Sequence, residues 1–232
     1  MQSREQAPSS FTVAIMQPYF IPYAGYFRLF AASDLFVIYD CVQFPRRGWV
    51  HRNKMLDVGG RECWLTLPLA KMPRDVRIRD LSFSADAGAV LEERMRRIPL
   101  LTSPTQPAPE ILESVKGVIG APVDYLETLL REIVSYLGLR WRTIRSSSLG
   151  LADSLHGQDR IIEIARRLGA TRYINSPGGR ALYEPERFGE AGIELRFLDP
   201  YPGPSLSILH RILAEDRQSL SDDILAASVT SR

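Results

Sequence analysis

Two short, almost wholly apolar runs, Phe11–Met16 (FTVAIM) and Leu35–Tyr39 (LFVIY), constrain the fold more than any other feature of the chain. Both have strand length and β-branched residues, and neither alternates apolar with polar positions. Each is therefore expected to be a strand covered on both faces. Between them, Gln17–Gly25 holds two prolines and a glycine and cannot continue the strand. Tyr26–Ala32 then reads as a short helix. Strand, loop, helix and strand in one short stretch make a βαβ unit, whose strands are expected to be parallel because neither alternates apolar with polar positions.

The alternation continues. Glu62–Pro68 is a further strand candidate after the Gly59-Gly60 turn, Arg77–Phe83 alternates and is expected to pair at a sheet edge, and Val90–Ile98 reads as a helix ended before Pro99. Pro122–Leu137 carries Val123, Leu126, Leu130, Ile133 and Leu137 at helical spacing, with Gly138 as its stop. Helices are also expected over Gly157–Leu168, Glu186–Ala191 and Leu206–Ala214, and strands over Arg142–Ser147, Arg172–Ile174 and Ile193–Leu198. The fold expected is α/β, a mainly parallel sheet flanked by helices, Rossmann-like, forming one domain over residues 11–215. Residues 1–10 are expected to be a disordered tail and residues 216–232 a C-terminal tail, with the proline-rich Thr102–Pro109 the best internal break.

With 232 residues, 45% of them hydrophobic, the chain can bury a sizeable core. Its two cysteines, Cys41 and Cys63, are too few for a disulfide framework or a zinc cluster, and reduced thiols of a cytoplasmic protein are the economical reading. No apolar run approaches the roughly 20 residues needed to cross a bilayer, so no membrane partner is expected. A net charge of +2 argues against general nucleic-acid binding. Three scattered histidines give no metal signature: His156 stands just before a helix and suits a cap, and His210 lies within one and suits packing.

Candidate chemistry collects at strand ends. In open parallel sheets, ligands bind beyond the C-terminal ends of the strands. Gln17–Tyr26 is such an edge, offering Gln17, Tyr19, Tyr23, Tyr26 and a glycine, Gly25, that lets a ligand approach the backbone. The next strand ends at Asp40, Cys41 and Gln43, where Asp40 can orient an amine or act as a general base. Two readings stand for Cys41: a nucleophile with His51 as its base, or the inert buried residue that free cysteine more often is. The stretch Arg46, Arg47, His51, Arg52, Lys54 contains no acid and has Trp49 at its centre, which suits a phosphate, a carboxylate or a nucleotide base, with His51 and Arg52 as the best candidates. In Asn175–Gly179 (NSPGG), Gly178 and Gly179 can turn successive amides toward one anion, although the spacing is neither the dinucleotide fingerprint nor a Walker loop.

MQPYFIPYAGYFRLFAASDLFVIYDCVQF, then RRGWVHRNKM, WLTLPL and INSPGGRALYEPERFGEAGIELRFLDP, resemble the WbqC-like family, in order from about residue 13 to residue 213. The opening QPYFxPYxGYF and the GWxxRN element carry the resemblance. By position the family motif covers Gln17, Pro18, Tyr19, Tyr23, Gly25, Tyr26, Asp40, Gln43, Gly48, Trp49, Arg52 and Asn53, and also Pro177, Gly178, Gly179 and Tyr183. The chain departs from the expected pattern at Cys41, where a second acid would stand. Pro22-Tyr23-Ala24-Gly25-Tyr26 also resembles, in position, the P-H-x-G-H of adenylyltransferase-like (HUP-like) nucleotide-binding folds, with both histidines replaced by tyrosine.

The resemblance implies an enzyme of surface-polysaccharide (O-antigen) or natural-product biosynthesis, transferring an acyl or aminoacyl group such as glycine to a small acceptor, for example an amino sugar. On that expectation Asp40, His51 and Cys41 are the catalytic candidates. Gln17, Tyr19, Tyr23, Tyr26, Gln43, Trp49, Arg52, Asn53, Asn175, Gly178 and Gly179 are the substrate-binding ones. No cofactor is expected, the donor arriving as a thioester or ester on coenzyme A, a carrier protein or a transfer RNA. The alternatives are a nucleotide-dependent ligase or nucleotidyltransferase-like enzyme, and a non-catalytic nucleotide-sugar-binding protein.

Overall fold

The computed structural model describes residues 10–228 and the backbone of residues 230 and 231. The expected N-terminal tail lies almost wholly outside the described residues. The first unit forms as its pattern dictates: strand β1 (Thr12–Met16), helix α1 (Ala24–Ala31) and strand β2 (Leu35–Ile38). Next come a hairpin of β3 (Arg52–Leu56) and β4 (Glu62–Thr66), then α2 (Ala87–Met95), α3 (Pro99–Thr102), α4 (Pro109–Lys116) and α5 (Pro122–Tyr136). The second half runs β5 (Thr143–Arg145), α6 (Gly157–Arg167), β6 (Arg172–Asn175), α7 (Pro185–Glu190), β7 (Glu194–Leu198), α8 (Ile208–Ala214), α9 (Arg217–Ala226) and β8 (Thr230–Ser231).

The main sheet has the order β5-β2-β1-β6-β7-β8; the first five strands are parallel and β8 is antiparallel to β7. Both faces of its centre are covered, as the unbroken apolar strands require. Val13, Ile15 and Val37 pack with Ile161 and Ile164 of α6 and Phe188 of α7. Ala14, Phe36 and Ile38 face the other way, into a larger cluster with α1, α5 and α8. The chain leaves β1 for β2 on one side, while β6 lies on its other side. The gap between β1 and β6 is thus the switch point where connections diverge and a crevice opens above the strand ends.

Several sequence expectations are corrected. Residues 216–232 were expected as a tail, yet Arg217–Ala226 is a helix with Leu220 and Ile224 fully buried. Its reason lies in α1, where every residue from Ala24 to Phe30 is buried. A helix buried all round needs cover on both sides; the sheet supplies one and α9 packs against it as well. The basic stretch, to which the sequence assigned no element, runs into β3, whose buried Asn53 and Met55 alternate with half-buried neighbours. Arg77–Phe83 forms a single 3-10 turn at Ile78–Asp80, joined by isolated bridges Gln43↔Arg77 and Leu69↔Phe83 instead of a strand. Leu101, Ala108 and Ile111, from both sides of the proline-rich segment, pack in one cluster, so the core runs continuously across it.

Candidate active site

A groove of about 380 Å³ opens at the switch point. Its walls come from three strand ends: Met16, Gln17 and Tyr19 after β1, Tyr39 after β2, and Asn175–Gly179 and Tyr183 after β6. Parallel pairing in register brings these ends together, since Met16 lies opposite Ile38 and Ala14 opposite Ile174. Five of the residues singled out from sequence, Gln17, Tyr19, Asn175, Gly178 and Gly179, meet here although they lie more than 150 positions apart in part.

The groove is neutral and rich in hydrogen-bonding groups. Tyr183 Oη lies 3.3 Å from Tyr173 Oη and accepts from Asn175 Nδ2 at 3.3 Å, while Asn175 Oδ1 accepts from the Ser176 amide at 2.7 Å. Burial pushes the phenols of Tyr19, Tyr39 and Tyr183 above the ordinary tyrosine value, with Cys41 adding to the effect on Tyr39. They act as uncharged donors and acceptors. Tyr39 and Tyr173 were not among the sequence candidates. Tyr39 could have been found from its place, the first residue beyond a strand pointing at the same edge.

Asn175–Gly179 does not build the expected anion nest. Pro177–Leu182 is a 3-10 turn, neither glycine has positive φ, and the Gly179 amide donates to the Ser176 carbonyl at 3.0 Å. Gly179 is there for space: a Cβ on it would come within 2.5 Å of Asn175 Nδ2. Gly25 likewise admits protein and not ligand, because a Cβ there would meet the Tyr23 ring at 2.3 Å.

Tyr19 also borders a second, smaller pocket of about 300 Å³ lined by Pro22, Tyr23, Trp49, Asn53 and Ser205. Trp49 packs on Trp64 with ring centroids 5.3 Å apart, and the Arg52 guanidinium lies 4.2 Å over the Trp64 ring. The loop's aromatics are thus a partition between a polar groove and an aromatic cup. Tyr26 is excluded from both by burial, its hydroxyl donating to the Gln17 carbonyl at 2.8 Å.

The expected catalytic residues stand elsewhere. Asp40 is fully buried; Oδ1 accepts from Ser146 Oγ and the Ser147 amide at 2.9 Å each, and Oδ2 from Ser147 Oγ at 2.6 Å. It latches the end of β2 to the end of β5. Cys41 is buried against Arg160, whose Nη1 lies 3.3 Å from its sulfur and whose other nitrogens hold the Ala152, Asp153 and Leu155 carbonyls. His51 instead packs edge-on to Phe44, at 5.0 Å between centroids, and lines a different cavity. Cys41 and His51 do not form a pair. Gln43 is exposed and donates to the Arg74 carbonyl at 2.8 Å. His156 occupies the N-cap of α6 without a capping bond from its side chain.

Among the described residues, no group of three His, Cys, Asp or Glu side chains is arranged to hold a metal ion, and no helix is long and apolar enough to cross a membrane. A sequence model described as the WbqC-like protein family matches residues 17–219. An uncharacterized protein of Mycobacterium tuberculosis (strain ATCC 25618 / H37Rv) is 30% identical over 199 residues, covering 81% of each chain. No solved structure matches the chain.

Proposed function

The chain belongs to the WbqC-like protein family, and from its switch-point groove we propose that it is an enzyme transferring an acyl or aminoacyl group to the amine or hydroxyl of a small acceptor such as an amino sugar. The observation that carries this reading is the convergence of Gln17, Tyr19, Tyr39, Asn175 and Tyr183 on one groove of about 380 Å³. That volume lies in the range of small-molecule sites, and uncharged hydrogen-bonding walls suit a hydroxyl-rich acceptor. In the reaction the acceptor nitrogen or oxygen attacks the donor carbonyl carbon. The new C–N or C–O bond replaces the donor's C–S or C–O bond, and the acceptor's proton ends on the departing thiolate or alkoxide.

With no carboxylate or imidazole in the groove wall, the rate must come from positioning and from neutral donors facing the developing oxyanion. Tyr183, held by Asn175, and Gln17 are the donors in the best position for this. Synthesis of surface polysaccharide or of a natural product is the setting this chemistry fits. The test is incubation of the chain with acyl and aminoacyl thioesters and amino-sugar acceptors, read by mass spectrometry. Transfer is expected, and Tyr183→Phe should lower it at least tenfold.

A second reading, a nucleotide-dependent enzyme, is favoured by the strand order β5-β2-β1-β6-β7, which is the doubly wound order of dinucleotide-binding sheets. Thermal-shift measurements separate the two. Stabilisation by ATP with magnesium, without transfer from any donor, would sink the transferase reading.

A further inference from the structure

A third cavity, of about 560 Å³, lies between the β3–β4 hairpin, the loop that follows it and α2. None of its lining residues is shared with the switch-point groove. Arg46, Lys71 and Arg94 bring three positive charges to its wall and Asp86 one negative charge, a balance of 3 − 1 = +2. Among the described residues none of the three cations is within ion-pair distance of a carboxylate. Arg46 donates only through Nη2, to the Met72 and Pro73 carbonyls at 2.6 and 2.8 Å, and Arg94 only through Nη1, to the Thr66 carbonyl at 2.5 Å. Their remaining N–H groups are left for solvent or a ligand. His51 adds its ring to the wall, and its Nδ1 is buried without a hydrogen-bond partner.

Apart from Thr66 and Ser84 the rest of the lining is apolar, and Phe44, Leu69, Met72, Val76 and Val90 belong to it together with the cations. Inorganic phosphate alone would leave that surface against water, and a plain hydrocarbon would leave the cations without a counter-charge. We propose that this cavity binds an organic anion with an apolar body, of the class of a medium-chain carboxylate. The carboxylate answers the cluster of Arg46, Lys71 and Arg94 through charge-assisted hydrogen bonds, and the chain lies along the apolar side. The site is independent of the transferase reading, since it needs neither the groove nor turnover.

Isothermal titration of the full chain with octanoate, octanamide and inorganic phosphate tests it. Octanoate should bind one per chain, with an affinity that falls as salt is added, and octanamide and phosphate should each bind at least tenfold more weakly. Lys71→Glu, at an exposed position, should weaken octanoate at least tenfold, and so should Val90→Phe, which fills the apolar side. The groove substitution Tyr183→Phe should leave octanoate affinity within twofold. Equal affinity for octanoate and octanamide, phosphate binding as tightly as octanoate, or Lys71→Glu without effect would each overturn the assignment.

Discussion

The side-chain amide of Asn53 donates to the carbonyl of Ile21 at 2.8 Å, and to that of Phe20 at 3.0 Å, so a strand of the hairpin fixes the loop that leaves β1. Ser207 Oγ adds a third bond, to the same Ile21 carbonyl, at 2.7 Å. Ile21 needs this hold. It is β-branched, fully buried and at φ +37°, where such residues are outliers that persist only when their surroundings overdetermine them. Asn53 was expected to bind substrate; with both amide hydrogens used on the loop, its role here is to set the shape of the aromatic partition. The pairing also gives a physical reason for QPYFxPY and GWxxRN to occur in one chain.

Asn53→Ala should therefore destabilise the protein by about 1–3 kcal/mol, the Phe20 carbonyl having lost its donor and the Ile21 carbonyl keeping only Ser207 Oγ. Asn53→Asp should cost more, because a carboxylate would face those same carbonyls. Urea unfolding checks the order. If the aspartate variant were as stable as the parent, the amide could not be the fastener described.

Asp40 makes a contrasting case, since a base and a latch respond differently to the same change. Ser146 and Ser147 saturate its carboxylate, and no part of it is exposed. Asp40→Ala should lower stability by about 3 kcal/mol, leaving the buried Ser146 and the half-buried Ser147 without their acceptor. Asp40→Asn should be milder in stability. If the transferase reading holds, it should keep most of the activity per folded molecule, which a general base would not. Loss of turnover in a protein with unchanged unfolding midpoint would return Asp40 to the chemistry.

What the sequence made legible follows its strongest periodicities. The apolar runs at Phe11–Met16 and Leu35–Tyr39 predict central parallel strands, and β1 and β2 are central. The strand-end rule led to Gln17, Tyr19, Asn175 and the two glycines, which share a groove. Direction along a strand, however, does not reveal whether a strand-end side chain turns outward or inward. Asp40, the residue after Tyr39, turns into Ser146 and Ser147, which are over 100 positions away and carry no visible signal. Helix α9 was hidden for a different reason: Leu220 and Ile224 are sparse among polar residues, and the need for cover shows only on α1, which is buried all round.

His51 links the cationic cavity to the pH dependence of folding. Burial, with the Arg52 charge adding to it, lowers its pKa from 6.5 to about 4. Between these values the unfolded chain takes up a proton that the folded chain refuses, so stability is complete above pH 6.5 and is lost as pH falls toward 4. Because the ring is only half-buried, solvent screening holds the contribution to about 1 kcal/mol. His51→Gln should flatten the rise of unfolding free energy between about pH 5 and 6.5. His210, also lowered by burial, supplies the control substitution for a second titrating ring. An unchanged slope in His51→Gln would show that the imidazole is protonated at its ordinary pH.

The two glycines after β6 offer the sharpest test of the groove, because they are adjacent and sit in opposite surroundings. A Cβ on Gly178 meets nothing within 4 Å, whereas one on Gly179 would approach Asn175 Nδ2 to 2.5 Å and the Tyr183 ring to 3.3 Å. Neither residue has a positive φ, so alanine brings no backbone strain at either site and the difference is purely one of space. Gly178→Ala should leave the unfolding midpoint within about 0.5 kcal/mol of the parent while adding a methyl to the groove wall. Gly179→Ala must push Asn175 aside, breaking its bond to Tyr183, and should cost about 1–3 kcal/mol as well as disordering the groove. Urea unfolding gives the stability order, and a crystal structure of Gly179→Ala would show whether Asn175 has moved. If instead both glycines served to direct their amides at an anion, the two alanine proteins would fold equally well and lose ligand equally.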